Sequence, residues 1–200
     1  MGEIRNPIKK SSIEKKNKIL EKGFTLMCEK GYHNVNCVDI AKYAGVSTGI
    51  IYQYFTDKRD IFIEGVKNYS SNIMFPMIDI LDNTKIDKNN LEKILNSMID
   101  SFINTHKMSK KAHEELIAMS HIDDEINQIF KDNELKMNEK IVNTLKYNNF
   151  NVKNLNEKVH IIIGLIDNFC HEIVYHAHKS LNYDEMKKEV INIVLYLLKD

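Results

Sequence analysis

Residues 38–62 read VDIAKYAGVSTGIIYQYFTDKRDIF, two short apolar periodicities separated by one glycine. Val35, Val38, Ile40 and Ala41 give a first short helix its buried side. Asn36 is placed to cap that helix, and Asp39, three residues on, puts a carboxylate near its positive end. Gly45 then permits a left-handed turn that a residue with a Cβ would resist. Ser47 suits the cap of a second helix anchored by Ile50, Ile51 and Phe55. Helix, glycine turn, helix is the helix-turn-helix pattern.

On the second helix Thr48, Gly49, Tyr52 and Gln53 are left facing outward or along the edge. A hydroxyl, a backbone without a side chain and an amide able to pair with adenine suit the reading of base edges in a major groove. Tyr52 and Tyr54 offer phenolic hydroxyls to phosphates. Asp57 is expected to cap a helix beginning at Lys58, and Lys58 with the neighbouring N–H groups is expected to form an anion site for the nucleic-acid backbone.

The order and spacing of these residues closely resemble the N-terminal domain of the TetR family of transcriptional regulators. The residues that carry the resemblance are Gly31 and Tyr32, Asp39 to Ala41, Ala44 to Ser47, Tyr52 to Phe55, and Lys58, within roughly residues 11 to 65. The resemblance implies an all-α chain with a three-helix helix-turn-helix domain over residues 1–57 and a helical effector-binding and dimerisation domain over 58–200. It implies a homodimer on a palindromic double-stranded DNA operator, acting as a repressor that a small effector releases. Asn36, Cys37, Ser47, Thr48, Gly49, Tyr52, Gln53, Tyr54 and Lys58 are the expected DNA contacts. Cys37 and Val38 depart from the Thr and Arg that the family often has there, which reduces the phosphate contacts expected from the first of the two helices.

The formal net charge is +0, which at first sight disfavours a polyanion as partner. Its distribution restores the match: residues 1–70 hold 12 Lys and Arg against 8 Asp and Glu, a surplus in the half that carries the motif. Arg5, Lys9, Lys10, Lys15, Lys16 and Lys18 crowd the front, as a solvated tail or as an arm along phosphates. Cys28, Cys37 and Cys170 follow no metal-ligand spacing and are read as free thiols in a reducing cytoplasm. No signal peptide or spanning apolar run is expected.

Two prolines and seven glycines in 200 residues predict a nearly all-helical chain. Ile13, Leu20, Phe24 and Met27 mark a first helix, and a long helix from Lys58 towards Asp82 is expected to kink or end at Pro76. Later helices are separated by breaks near His121 to Asp123 and at the Asn-rich run from Tyr147 to Asn156. The last two carry apolar residues almost all round, Ile161 to Ile166 and Val190 to Leu198, and a second subunit is the expected cover.

Phe102, His106, Met119, Phe130, Asn168, Phe169 and His171 are the candidate effector residues, suited to a mostly apolar small molecule. His160, His171, His176 and His178 lie near Asp167 and Glu172, so a metal site is conceivable on one helix, but no motif supports it and none is assigned. No nucleophile elbow, phosphate loop or dinucleotide fingerprint occurs, so neither a catalytic residue nor a cofactor is expected.

Overall fold

The computed structural model describes residues 7–70, 85–108 and 110–199, which form helices and turns with no strand. Helix α1 (Lys10–Lys30) stops at Gly31, whose φ of 88° favours glycine. A 3-10 turn (Tyr32–Asn34) leads to α2 (Cys37–Ala44). Asn36 caps α2 as expected: its side-chain oxygen accepts from the Val38 and Asp39 amides at 2.8 and 3.1 Å, while Asp39 accepts from the Asn36 amide at 3.0 Å. This reciprocal box satisfies amides that a short helix would otherwise leave open.

Gly45 is left-handed, with φ 67° and ψ 40°. Its amide reaches the Lys42 carbonyl at 3.3 Å and the Val46 amide reaches Ala41 at 2.9 Å, the paired bonds of a Schellman closure. Helix α3 (Thr48–Tyr54) follows at once, then α4 (Lys58–Tyr69).

Helix α1 packs on α2 and α4, and α2 packs on α3. A Cβ at Gly65 would stand 2.2 Å from Phe24 Cδ2, so glycine here lets the ring of α1 lie flat on α4. Two apolar expectations fail. Val38 is 62 % exposed while Ile40 is buried, because residues two apart on a helix point to opposite sides. Ile13 is 41 % exposed, since the buried part of α1 begins only at Ile19. The basic run is not a free arm from Lys10 onward: those lysines belong to α1, and Lys16 pairs with Glu64 at 2.9 Å and lies over the Phe55 ring. Arg5 lies outside the described residues.

The chain divides into two compact units, one of residues 1–70 with 111–130 and the other of 71–110 with 131–200. The expected boundary at 57 and 58 is therefore not where the compact units part: α4 stays with α1, α2 and α3. The remaining elements are α5 (Leu91–Met108), α6 (Lys110–Ser120), α7 (Asp124–Tyr147), α8 (Leu155–Tyr175) and α9 (Tyr183–Leu197). Breaks fall at 121–123 and 148–154, where expected. In the second, Asn149 and Asn154 take φ of 64° and 55°, a region asparagine tolerates better than most residues. Within the second unit α5 packs on α8, and α9 on both, around Ile99, Val159, Cys170 and Val194. The expected kink at Pro76 and the run to Asp82 lie outside the described residues. No helix among the described residues is long and apolar enough to cross a membrane.

Inside the first unit, the 111–130 segment closes on the 3-10 turn and the start of α4. Glu115 accepts from the Tyr32 amide at 2.6 Å. Arg59 at the start of α4 makes a forked bond to Asp123, 2.7 and 2.8 Å, and reaches Glu125 at 3.1 Å. Asp123 also caps α7 by accepting from the Glu125 and Ile126 amides. Hydrogen bonds from Arg59 hold the Asp123 carboxyl below its ordinary pKa despite partial burial. Its stabilisation is therefore complete above the ordinary carboxylate range and is lost as pH falls through the depressed value. We expect Asp123→Asn to cost about 1 kcal/mol at neutral pH, since the Arg59 side chain is 40 % exposed and solvent screens such a pair. The variant's urea unfolding should also lose part of its acid dependence; wild-type behaviour in both respects would make the clamp idle.

Candidate nucleic-acid interface

Helix α3 has two faces set by its own sequence. Ile51 and Phe55 are 0 % and 2 % exposed, and burial of each aliphatic or aromatic anchor is worth about 1.5–3 kcal/mol. Those anchors fix the rotation of the helix about its axis. Tyr52, at 52 % exposure, points away from the core, Gly49 and Gln53 are exposed, and Thr48 is half-buried. Positions 49, 52 and 53 recur at three and four residues, one strip of a helix. A Cβ built on Gly49 meets nothing within 4 Å, so the fold itself does not demand glycine there.

Two expected contacts need correction. Tyr54 is only 8 % exposed and joins the core, because it stands three residues after Ile51 and shares its inward side. It is an anchor of α3. The second correction is Lys58, whose ammonium donates to the carbonyls of Tyr32 and Val35 at 2.7 and 2.8 Å and lies 4.3 Å from the Tyr32 ring centre. The neighbouring amides are also engaged: Asp57 accepts from Arg59 and Asp60 at 2.7 and 3.1 Å. The anion site read from the sequence is filled by the chain's own carboxylate.

Ser47 sits at the cap position of α3 but its hydroxyl makes no capping bond, and the residue is exposed. Asn36 spends its side-chain oxygen on α2. Beside it, the nearby half-buried Cys37 is the first cause raising the Tyr52 pKa above its ordinary value. Burial, in contrast, pushes the thiols of Cys28 and Cys170 up to about 12, which makes them poor nucleophiles.

The candidate effector residues fall in both units. Met119 and Phe130 belong to the first unit, and Phe102, His106, Phe169 and His171 to the second. Asn168 is exposed, since Phe169 and Cys170 beside it take the inner side of α8. His106 is 7 % exposed and its ring centre lies 5.1 Å from that of His171. The late histidines also separate: His160 faces Glu134 at 3.8 Å, His178 faces Glu172 at 3.5 Å, and His176 is exposed. Only His171 stays beside Asp167, at 3.7 Å. The sequence had placed His106 with His171 only as candidate effector residues and had left it out of the late-histidine cluster, because it comes from α5.

Comparisons with known proteins agree with this geometry. Residues 19–64 match the family model described as bacterial regulatory proteins, tetR family. The chain is 44 % identical over 55 residues to the HTH-type transcriptional regulator HbdR of Aromatoleum sp. (strain CIB), covering 28 % of this chain and 24 % of that one. It is 27 % identical over 114 residues to the fatty acid metabolism regulator protein of Bacillus subtilis (strain 168), covering 56 % and 59 %. The matches thus span less than two thirds of either relative. A crystal structure assigned to the TetR family, from Mesorhizobium loti MAFF303099, superposes with a TM-score of 0.74 at 17 % identity over 95 % of this chain and 98 % of that one. At that identity the likeness concerns the fold.

Lys58 gives the sharpest test of the local geometry. Lys58→Ala removes two charge-assisted hydrogen bonds, so unfolding stability should fall by about 1–3 kcal/mol in the absence of any nucleic acid. Unchanged stability would mean that the ammonium does not hold the 3-10 turn.

Proposed function

We propose, from the premise that this chain belongs to the tetR family of bacterial regulatory proteins through its N-terminal domain, that it is a DNA-binding transcriptional regulator. It acts as a homodimeric repressor on a palindromic operator. The observation that carries this reading is the outward strip of α3, with Gly49 open to approach and Tyr52 and Gln53 exposed beside it. Gln53 offers a paired donor and acceptor to adenine, Thr48 a hydroxyl to a base edge, and Gly49 a place where the duplex comes close to the helix backbone. Tyr52, Ser47 and Cys37 border that strip and meet phosphates. Lys58 contributes by holding the 3-10 turn against α4.

Assembly follows from the end of the second unit. Ile161 on α8 and Ile193 and Tyr196 on α9 are 57 %, 45 % and 73 % exposed, on two helices packed side by side. A second copy of this chain covers them, and its two-fold axis demands a two-fold operator. The paired heads then meet half-sites about one helical turn apart, ~34–36 Å, or a multiple of it. A small, mostly apolar effector binds the second unit near Phe102 and Phe169. Release of DNA is a population shift, so the effector must favour one arrangement of the dimer over the other. The segment 111–130 is suited to carry that signal, since Asp123 and Glu115 bond directly to Arg59 and Tyr32.

Selection of bound duplexes from random or genomic DNA tests the reading. The wild type should enrich a two-fold symmetric site, and Gln53→Ala should relax one position of each half-site by about 1–3 kcal/mol. Gly49→Ala should leave folding unchanged or stabilise it by up to ~1 kcal/mol while weakening DNA binding. No enriched sequence, or an unaltered preference in the Gln53 variant, contradicts it. For assembly, Tyr196→Asp is cleaner than a change at the partly buried Leu195 and should yield a folded monomer in sedimentation; a persisting dimer places the interface elsewhere.

A further inference from the structure

Inside the second unit, α5 and α8 bring together three groups that no reading of a single helix unites. His106 stands near the end of α5 and is buried. Asp167 and His171 are one turn apart on α8. His106 Nε2 lies 3.6 Å from Asp167 Oδ1, and His171 Nε2 lies 3.7 Å from Asp167 Oδ2. Ring nitrogens of the two histidines approach within 4.8 Å of one another. Two imidazoles therefore converge on the two oxygens of one carboxylate.

The other nitrogen of His106 settles what that convergence presents. His106 Nδ1 lies 2.8 Å from the Phe102 carbonyl oxygen. A carbonyl only accepts, so Nδ1 carries the hydrogen, and Nε2, which faces the Asp167 carboxylate, is the nitrogen that a metal ion would take on displacing its proton. A backbone acceptor that fixes ring and tautomer in this way is the usual outer support of a metal-bound imidazole. The Tyr175 ring, 5.1 Å from His171, with the Lys110 ammonium 5.2 Å above it, walls the group on one side.

We propose that His106, Asp167 and His171 hold a divalent transition-metal ion of the zinc type. Two imidazole nitrogens with one carboxylate oxygen suit zinc, cobalt or nickel far better than magnesium or calcium, which prefer oxygen. Three protein ligands leave a fourth position for water or for a small anionic ligand. His106 is the fixed member, held by Phe102; Asp167 and His171 are half-buried and close in by small side-chain rotations. The inference goes beyond the regulatory reading and does not rest on it, because metal binding is measured on the protein without DNA.

The test is calorimetric titration of the chelator-treated full-length protein with zinc chloride, paralleled by cobalt chloride and the visible absorption of low-symmetry cobalt. The expected result is one ion per protomer, with affinity lowered at least about tenfold in His171→Ala and in Asp167→Asn. Both positions are partly exposed, so these variants keep the core intact; unfolding curves measured without metal check this. His178→Ala and His160→Ala, whose rings lie against Glu172 and Glu134, should bind like the wild type. No stoichiometric uptake, uptake indifferent to His171→Ala and Asp167→Asn, or equal loss in His178→Ala overturns the proposal.

Discussion

A single left-handed residue between two short helices governs the shape of the N-terminal unit. With Gly45 at φ 67°, the end of α2 closes on its own carbonyls and the chain can start α3 after Val46 and Ser47. Because the backbone completes its own bonds at the turn, no side chain from the core has to be diverted to it. Ile40, Ala41 and Ala44 on one helix, and Ile51, Tyr54 and Phe55 beyond the turn, then sink into one core. What remains outward on α3 is decided by subtraction. Thr48, Gly49, Tyr52 and Gln53 border solvent because the opposite side of the helix is committed.

Polar clamps fix this arrangement from two directions. Lys58 ties the 3-10 turn to the start of α4 through the carbonyls of Tyr32 and Val35. Arg59, its neighbour, faces the other way and holds Asp123 and Glu125. One helix start thus links the reading helices to the segment 111–130 of the same unit. Charge-assisted bonds of this kind are directional, so a shift at either end changes geometry as well as energy. The helix that begins at Asp124 runs on to Tyr147, so the polypeptide itself continues from the clamp into the second unit.

The turn, the caps at Asn36 and Asp57 and the outward strip of α3 were legible in the sequence because each depends on residues within a few positions. Asn36 with Asp39, Gly45, and Asp57 before Lys58 are local chemistry, and helical periodicity assigns Ile51 and Tyr52 to opposite sides. Tyr54 was misassigned when its hydroxyl was weighed above its spacing from Ile51. Lys58 was invisible for a different reason: its partners lie 26 and 23 residues earlier, and nothing in the sequence places a bare carbonyl. The same holds for Arg59 and Asp123, 64 residues apart. The late histidines illustrate the limit well. Spacing put His171 with Asp167 and His178 along one side of a helix, whereas the fold brings its ring to that of His106 on another helix and sends His178 to Glu172.

The central claim is that the solvent side of α3 is the surface that meets DNA. Hydroxyl-radical footprinting of the protein, alone and on a duplex recovered by selection, measures this at the exposed Tyr52 ring. The account predicts strong protection of Tyr52 in the complex, with Tyr147, which is 87 % exposed in the other unit, modified equally in both states. Equal modification of Tyr52 with and without bound duplex would contradict it.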